Sequence, residues 1–141
     1  MILYLDTSAL LKLYVREPGS RKVRGLVSSA EASATSVVAY PEARAALARL
    51  HREGISSDKK HRELIADLGA DWEKLLHVGL TTTLIRFAGD TTDAYGLRGF
   101  DAIHLASALW LREQSPAALS FVAFDRRLVE AARQAGLPTL P

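Results

Sequence analysis

Short apolar runs alternate along this chain with segments of helical periodicity, and this alternation constrains the fold more than any other feature. The run from Ile2 to Leu5 has no polar alternation, which is typical of a strand buried on both faces of a sheet. "SATSVVAY" and "SFVAF" predict two further strands, and "LPTLP" predicts a last one. Strands that alternate with helices indicate an α/β fold with a mostly parallel sheet.

The segments between these runs predict helices with recognisable ends. Leucines and Tyr14 continue after Asp6 at helical spacing as far as "REPGS", and a second helix is predicted from about Ser20 to Ala30. "PEARAALARLHREG" consists of strong helix formers, with Pro41 in the first turn and Gly54 as the stop. Further helices are predicted in "SSDKKHRELIADLGADWEKLL", "FDAIHLASALWLRE" and "RRLVEAARQA".

Two regions have a weaker pattern. A short strand is predicted between Val78 and Leu84, and Gly69 is expected to bend its helix, because glycine costs up to about 1 kcal/mol relative to alanine. Between Thr83 and Leu97 the periodicity is interrupted by Gly89 and Gly96, so the sequence assigns no regular element there.

The composition fits one ordinary domain. The 141 residues are predicted to form a single domain, residues 1–141, and nearly half of them are hydrophobic. The formal net charge is only +2, so global electrostatics do not require a nucleic-acid partner. Without cysteine there is no disulfide framework or thiolate chemistry, and no apolar run reaches the roughly 18 residues of a membrane span. We therefore expect a cytoplasmic protein.

Four acidic residues stand near the beginnings of predicted helices. Asp6, Glu42 and Asp125 follow apolar runs, and Asp101 opens the "FDAIHLAS" helix. The carboxyl ends of parallel strands share one edge of a sheet, and ligands of open α/β folds bind there. Acidic residues that are remote in sequence are therefore expected to converge at this edge.

Converging carboxylates repel and raise one another's pKa. A hard divalent cation removes that repulsion, and oxygen ligands without cysteine suit Mg²⁺ or Mn²⁺. A water molecule acidified by the metal can attack a phosphodiester while the ion offsets charge on the transition state. The pattern therefore predicts a metal-dependent nuclease site with catalytic and metal-binding roles for Asp6, Glu42, Asp101 and Asp125.

Each of these residues also has a purely structural interpretation. An aspartate between a strand and a helix is a favoured N-cap, worth about 1 kcal/mol. His104 shares a helix face with Asp101 and is a candidate ligand or proton shuttle, although a hydrogen bond within the fold is the commoner fate of such a residue. Thr7 and Ser8 are candidates to support Asp6 or a bound phosphate, and local bonding at the helix start is the alternative.

Basic residues collect in the middle of the chain. The RNA-binding candidates are Arg49, Arg52, Lys59 and Lys60, because such a cluster can follow a phosphate backbone with strongly salt-dependent affinity. Acidic residues are interleaved with them, so a solvated helical face is the alternative interpretation.

Taken together, "YLDTSALLKLY", "PEARAALARL", "LRGFDAIHLASAL" and "SFVAFDRRL" resemble the PIN domain, and specifically the VapC-type ribonuclease toxins of bacterial toxin–antitoxin pairs. The resemblance covers essentially the whole chain. It implies a three-layer α/β/α sandwich whose acidic pocket is formed by the four acids named above, with Mg²⁺ or Mn²⁺ held mainly by Asp6 and Asp101. It also implies a homodimer that cuts RNA endonucleolytically and is silenced by a cognate antitoxin protein.

One departure from the family and two alternative functions complete this interpretation. The family often carries Thr or Ser two residues before the last acid, where this chain has Ala123. A phosphotransferase with Asp6 as its nucleophile would typically have a second aspartate two residues later, where this chain has Ser8. The remaining alternative is a non-catalytic PIN-like module that binds RNA or protein.

Overall fold

A computed structural model describes residues 1–141 as five strands and seven helices. None of these helices combines the length and the apolar character that crossing a membrane requires. In chain order the elements are β1 (Ile2–Leu5), α1 (Thr7–Leu11), α2 (Ser20–Ser29), β2 (Ala32–Ser36), α3 (Ala39–Arg52), α4 (Asp58–Trp72), β3 (Leu76–Val78), α5 (Thr82–Tyr95), α6 (Gly99–Gln114), β4 (Leu119–Val122), α7 (Arg126–Gln134) and β5 (Thr139–Leu140).

The five strands form one sheet in the order β3-β2-β1-β4-β5, and every neighbouring pair is parallel. Strand β1 lies in the centre. The chain leaves it toward β2 on one side and returns much later to place β4 on the other side. The carboxyl ends of β1 and β4 are therefore adjacent at the point where the strand order reverses, and open α/β sheets bind ligands in that crevice. The predicted parallel α/β sheet is confirmed.

Helices cover both faces of the sheet, which confirms the predicted three-layer sandwich. Side chains of β1 alternate between the two layers: Ile2 and Tyr4 pack with α5, α6 and α7, whereas Leu3 and Leu5 pack with α1 to α4. All four of these residues are buried, as the uninterrupted apolar run predicts. Alternation along β1 thus divides the core into two halves.

Strand β2 lies earlier in the chain than its β-branched residues indicate. It consists of "ASATS", and the chain turns at Val38, whose amide donates to the Ser36 hydroxyl and whose backbone is helical. The predicted strand through "VVAY" is therefore wrong beyond Ser36. Four of the five small β2 residues are buried, so burial between two helical layers outweighs their weak intrinsic β-propensity.

The prediction of a strand between Val78 and Leu84 is also wrong for most of its length. Strand β3 ends at Val78, and Thr81 caps α5 by accepting a hydrogen bond from the Leu84 amide at 3.1 Å. Threonine therefore begins a helix here. That helix continues through Gly89 and ends at Gly96, whose φ of 64° suits glycine at a helix end.

Candidate active site

Asp6 is placed by the junction between β1 and α1. Its backbone is extended, with φ −73° and ψ 175°, and it is the N-cap residue of α1. The Oδ1 atom accepts hydrogen bonds from the Ala9 amide and the Ser8 hydroxyl, both at 2.8 Å. The residue is only 5% exposed. Capping and burial therefore fix a carboxylate at the carboxyl end of the central strand.

The other three acids also stand at the amino ends of helices. Asp125 caps α7, and its Oδ1 accepts a hydrogen bond from the Leu128 amide at 3.0 Å. Glu42 lies in the first turn of α3, and Asp101 lies in the first turn of α6. The structural interpretation of Asp6 and Asp125 as caps is thus correct. It does not compete with a functional role, because an N-cap carboxylate keeps further lone pairs for a ligand.

Electrostatic interactions couple Asp101 with each of the other three acids. Burial raises the pKa of Asp6, and Asp101 adds a smaller contribution in the same direction. Burial also raises the pKa of Asp101, followed by repulsion from Asp125 and, more weakly, from Glu42. A positive charge on His104 would oppose both increases, and Arg98 opposes the second. Asp101 is therefore repelled by Asp125 and Glu42, which both lie more than twenty residues from it in the chain.

Glu42 has a different environment from the aspartates. Burial alone would raise its pKa, but hydrogen bonds from His104 and Thr7 outweigh that effect and lower the pKa. Thr7 Oγ1 donates to Glu42 Oε1 at 2.6 Å, and His104 Nε2 lies 3.3 Å from the same oxygen. Glu42 is thus held in its ionised form by partners from α1 and α6.

Two features bear on whether these residues fit a divalent cation. The donor set consists of carboxylate oxygens, which Mg²⁺ and Mn²⁺ prefer, and neither Asp101 nor Glu42 Oε2 accepts a hydrogen bond within the fold. On the other hand, no three acidic or histidine side chains have donor atoms gathered closely enough to hold an ion as they stand. The chemistry of the site fits a hard cation, and ligation would require side-chain rearrangement.

The three predicted supporting residues all lie at this site. Ser8 donates to both oxygens of Asp6, whereas Thr7 donates to Glu42 instead of Asp6. His104 is 2% exposed and hydrogen-bonded within the fold, as the structural interpretation of this residue has it.

The predicted RNA-binding residues lie away from the acids. Arg49 pairs with Glu53 at 3.0 Å near the end of α3, and Lys59 and Lys60 are exposed in the first turn of α4. Arg52 lies ten positions after Glu42 on α3, which corresponds to about 15 Å along the helix axis. The structure therefore does not bring this basic group to the carboxylates.

Sequence reasoning missed Tyr4. Its side chain is completely buried beneath the site, and its hydroxyl lies 3.0 Å from His104 Nδ1. Burial raises the pKa of Tyr4 well above its usual value, so the hydroxyl keeps its proton. The available signal was a hydroxyl-bearing side chain inside an otherwise aliphatic buried strand, two residues before Asp6.

Comparison with known proteins identifies the family of this chain. The sequence matches the PIN domain family over residues 3–134. It is 40% identical over 144 residues to "Ribonuclease VapC45" of Mycobacterium tuberculosis (strain CDC 1551 / Oshkosh), covering 99% of this chain and 95% of that protein.

Among solved structures, FitAcB from Neisseria gonorrhoeae superposes with a TM-score of 0.67 at 20% identity, covering 100% of this chain and 97% of that one. A toxin–antitoxin complex from Klebsiella pneumoniae gives a TM-score of 0.64 at 17% identity, with coverages of 99% and 96%. Because the family match spans most of the chain and the VapC relative spans nearly all of it, the chain belongs to the PIN-domain family and, within it, to the VapC-type ribonucleases.

Proposed function

We propose that this protein is a divalent-metal-dependent endoribonuclease that hydrolyses RNA phosphodiester bonds as the toxin of a type II toxin–antitoxin pair. The observation that carries the proposal is the placement of four acids at the amino ends of four helices, beside the point where the strand order reverses. The name and the high identity of the VapC relative support it. Because the proposed substrate is cellular RNA, we also propose that the protein acts in the cytoplasm.

Asp6 and Asp101 are the proposed main ligands of Mg²⁺ or Mn²⁺, and Glu42 and Asp125 complete the site. When bound, the ion would acidify a water molecule and offset negative charge on the reacting phosphate. The chain contributes orientation, since backbone amides hold Asp6 and Asp125. Four helix amino ends supply partial positive charge that favours carboxylates before any cation arrives.

A non-catalytic PIN-like module is the second candidate function. It is favoured by one observation, namely that the acids are not gathered into a cluster ready to hold an ion. The presence of all four acids on one edge weighs against it, because a binding module needs no converging carboxylates. The two functions differ in their response to loss of a single acid.

Replacing Asp6 or Asp101 by asparagine should lower RNA cleavage by more than about 100-fold while the fold is retained. Asparagine is as good an N-cap as aspartate, so Asp6→Asn keeps the start of α1. Cleavage is measured on RNA with Mg²⁺ present, and folding by circular dichroism. The matched control is Asp93→Asn, which changes an exposed carboxylate on α5. Undiminished cleavage by both site variants would exclude the metal-dependent mechanism.

Asp101→Asn should also raise the thermal stability of the metal-free protein. The pKa of Asp101 is raised, so its ionisation destabilises the folded state at neutral pH, and this penalty disappears as the pH falls through the raised pKa. In chelator at pH 7 the variant should therefore melt roughly 1 to 2 °C higher than the wild type, with the difference shrinking toward acid pH.

Added Mg²⁺ should then stabilise the wild type more than the variant, because binding to the folded state raises the melting temperature by mass action. Differential scanning fluorimetry measures both effects, and Asp90→Asn serves as an exposed control. An equal shift with Mg²⁺ in both proteins would show that Asp101 is not a ligand.

Arg49, Arg52, Lys59 and Lys60 remain the proposed RNA contacts, acting on the phosphate backbone beyond the scissile bond. Their separation from the acids suits this role, because a single strand of several nucleotides extends well past one phosphate. The positive charge of α4 at Lys59 and Lys60 is exposed.

The double variant Lys59→Glu, Lys60→Glu should raise KM for RNA several-fold, leave kcat unchanged, and reduce the slope of log affinity against log salt by about 1 to 2. Steady-state kinetics at several salt concentrations provide the measurement. Arg21→Glu with Lys22→Glu is the matched control, because it reverses two exposed charges on α2. If the two double variants behave alike, the basic residues of α4 are not an RNA contact.

Two further partners are proposed, an antitoxin and a second copy of the chain. A groove of about 640 Å³ runs between α1 and α3, with an apolar floor that includes Leu11, Val15 and Leu50. Its rim carries Arg49 and Arg52, so a peptide seated there would also cover proposed RNA contacts.

An exposed apolar patch on the other helical layer suits a homodimer: Ile85, Phe100 and Ile103 line a shallow cavity there, and Phe100 is 57% exposed.

Light scattering of the purified protein should therefore give the mass of a dimer, and Phe100→Lys should shift it to a monomer because an ammonium replaces the apolar contact. Co-expression with a small neighbouring reading frame should yield a complex in which RNA cleavage is suppressed. Trp110→Lys is the matched control for the dimer, as it changes an equally large exposed side chain elsewhere on α6. A monomeric wild type would contradict the dimer, and unsuppressed cleavage in such a complex would contradict the antitoxin.

A further inference from the structure

We propose that Tyr4 and His104 are positioning residues that fix Glu42 through a directed chain of hydrogen bonds, so that Glu42 reaches the reaction through its Oε2 atom alone. The catalytic part of this inference rests on the proposed function. The geometric part stands on the structure.

The chain of hydrogen bonds links four elements. Tyr4 of β1 places its hydroxyl 3.0 Å from Nδ1 of His104, which lies on α6. The other ring nitrogen, Nε2, lies 3.0 Å from Oγ1 of Thr7 on α1 and 3.3 Å from Oε1 of Glu42 on α3. Thr7 Oγ1 lies 2.6 Å from the same Glu42 oxygen. Side chains from one strand and three helices thus form a hydrogen-bonded chain that ends at a single carboxylate oxygen.

The direction of each hydrogen bond follows from counting protons. A carboxylate only accepts, so the single hydroxyl proton of Thr7 is committed to Glu42 Oε1. Thr7 Oγ1 can then only accept from His104, which puts a proton on Nε2. In a neutral His104 a proton on Nε2 leaves Nδ1 as an acceptor, so the Tyr4 hydroxyl donates to Nδ1. The structure therefore assigns the Nε2–H tautomer to His104.

Packing leaves this chain little freedom to rearrange. Tyr4 is fully buried and His104 is 2% exposed. The Tyr4 ring stacks on Phe121 of the neighbouring strand at 5.5 Å between centroids and 5° between planes, and it meets the His104 ring edge-on at 5.9 Å. A ring held on both sides presents its hydroxyl in one direction, so the orientation of His104 is set from beneath the site.

The consequence concerns which oxygen of Glu42 is available. Oε1 accepts from Thr7 and lies within reach of the His104 N–H, so its lone pairs are engaged inside the protein. Oε2 accepts no hydrogen bond within the fold. Glu42 is therefore presented as a one-oxygen group, which suits orienting a water molecule or binding an ion through a single contact. It does not suit two-oxygen chelation.

The test removes the Tyr4 hydroxyl, which is the first group of the hydrogen-bond chain. Tyr4→Phe keeps the aromatic stacking and deletes only the proton donor to His104. We expect kcat for RNA cleavage to fall roughly 10-fold with KM unchanged, as is typical when a group supporting a catalytic side chain is lost. Tyr14→Phe is the matched control, because it deletes a part-buried hydroxyl that donates to Asp71 in the opposite helical layer. That variant should cleave like the wild type.

A second readout does not depend on activity. Nitrogen-15 NMR of the metal-free wild type should show His104 with a protonated Nε2 and an unprotonated, hydrogen-bonded Nδ1, and Tyr4→Phe should move the Nδ1 signal to that of a nitrogen without a hydrogen bond. The His104 signals are assigned by their loss in His104→Gln. An Nδ1–H tautomer or a doubly protonated ring in the wild type would overturn the inference.

The variants of His104 separate positioning from packing. Glutamine places an amide N–H near the position of Nε2, whereas the shorter asparagine places it near Nδ1, so His104→Gln should retain more cleavage than His104→Asn. Equal activity of the two would contradict the assigned direction, as would wild-type kcat in Tyr4→Phe. A wild type that cleaves no RNA would defeat the proposed function, but the His104 tautomer measured by NMR would still test the direction of the hydrogen bonds.

Discussion

Burial of several carboxylates at one edge of the sheet, where they also repel one another, is the constraint on which the arrangement of this protein depends. Burial raises the pKa values of Asp6 and Asp101, and repulsion from Asp125 adds to the increase at Asp101. Such a cluster would be destabilising in a metal-free fold unless other groups offset it. These groups are the amino ends of helices, the backbone amides that donate to Asp6 and Asp125, and hydrogen-bonding side chains. The fold thus tolerates the unfavourable electrostatic energy of these carboxylates, and their negative charge attracts a cation.

Strand β1 links the two halves of the structure to this edge. Its even-numbered side chains, Ile2 and Tyr4, belong to one half of the core, and Leu3 and Leu5 belong to the other. Asp6 then leaves the strand at the sheet edge with its amide still bonded to Val122 of β4. A change in the register of this strand would exchange the two faces and also displace the acid. The stability of the core and the geometry of the site therefore have a common origin.

The sequence permits prediction of those parts of the fold in which local pattern and tertiary environment agree. The fully apolar β1 and the caps at Asp6 and Asp125 are of this kind, and so are Pro41 in the first turn of α3 and Gly54 just beyond its end. The bounds of β2 could not be predicted from local sequence. "ASATS" forms a strand because it is buried between helical layers, and the β-branched "VV" that follows lies in a turn. Likewise, threonines favour strands in isolation, yet Thr81 begins a helix by capping it.

The acids of the site could be proposed from their positions at the ends of elements, but their supporting interactions could not. The pairing of Tyr4 with His104 joins residues one hundred positions apart, and no spacing rule connects them.

The order of the strands has a consequence for synthesis of the protein on the ribosome. Asp6 follows β1, the first strand made, while β4, the neighbour of β1 in the sheet, belongs to the last quarter of the polypeptide. A nascent chain that has emerged only as far as α4 carries Asp6 and Glu42 without either of their later counterparts. An incomplete polypeptide still attached to its message therefore lacks two of the four acids of the site, and translation must pass Asp125 before all four exist.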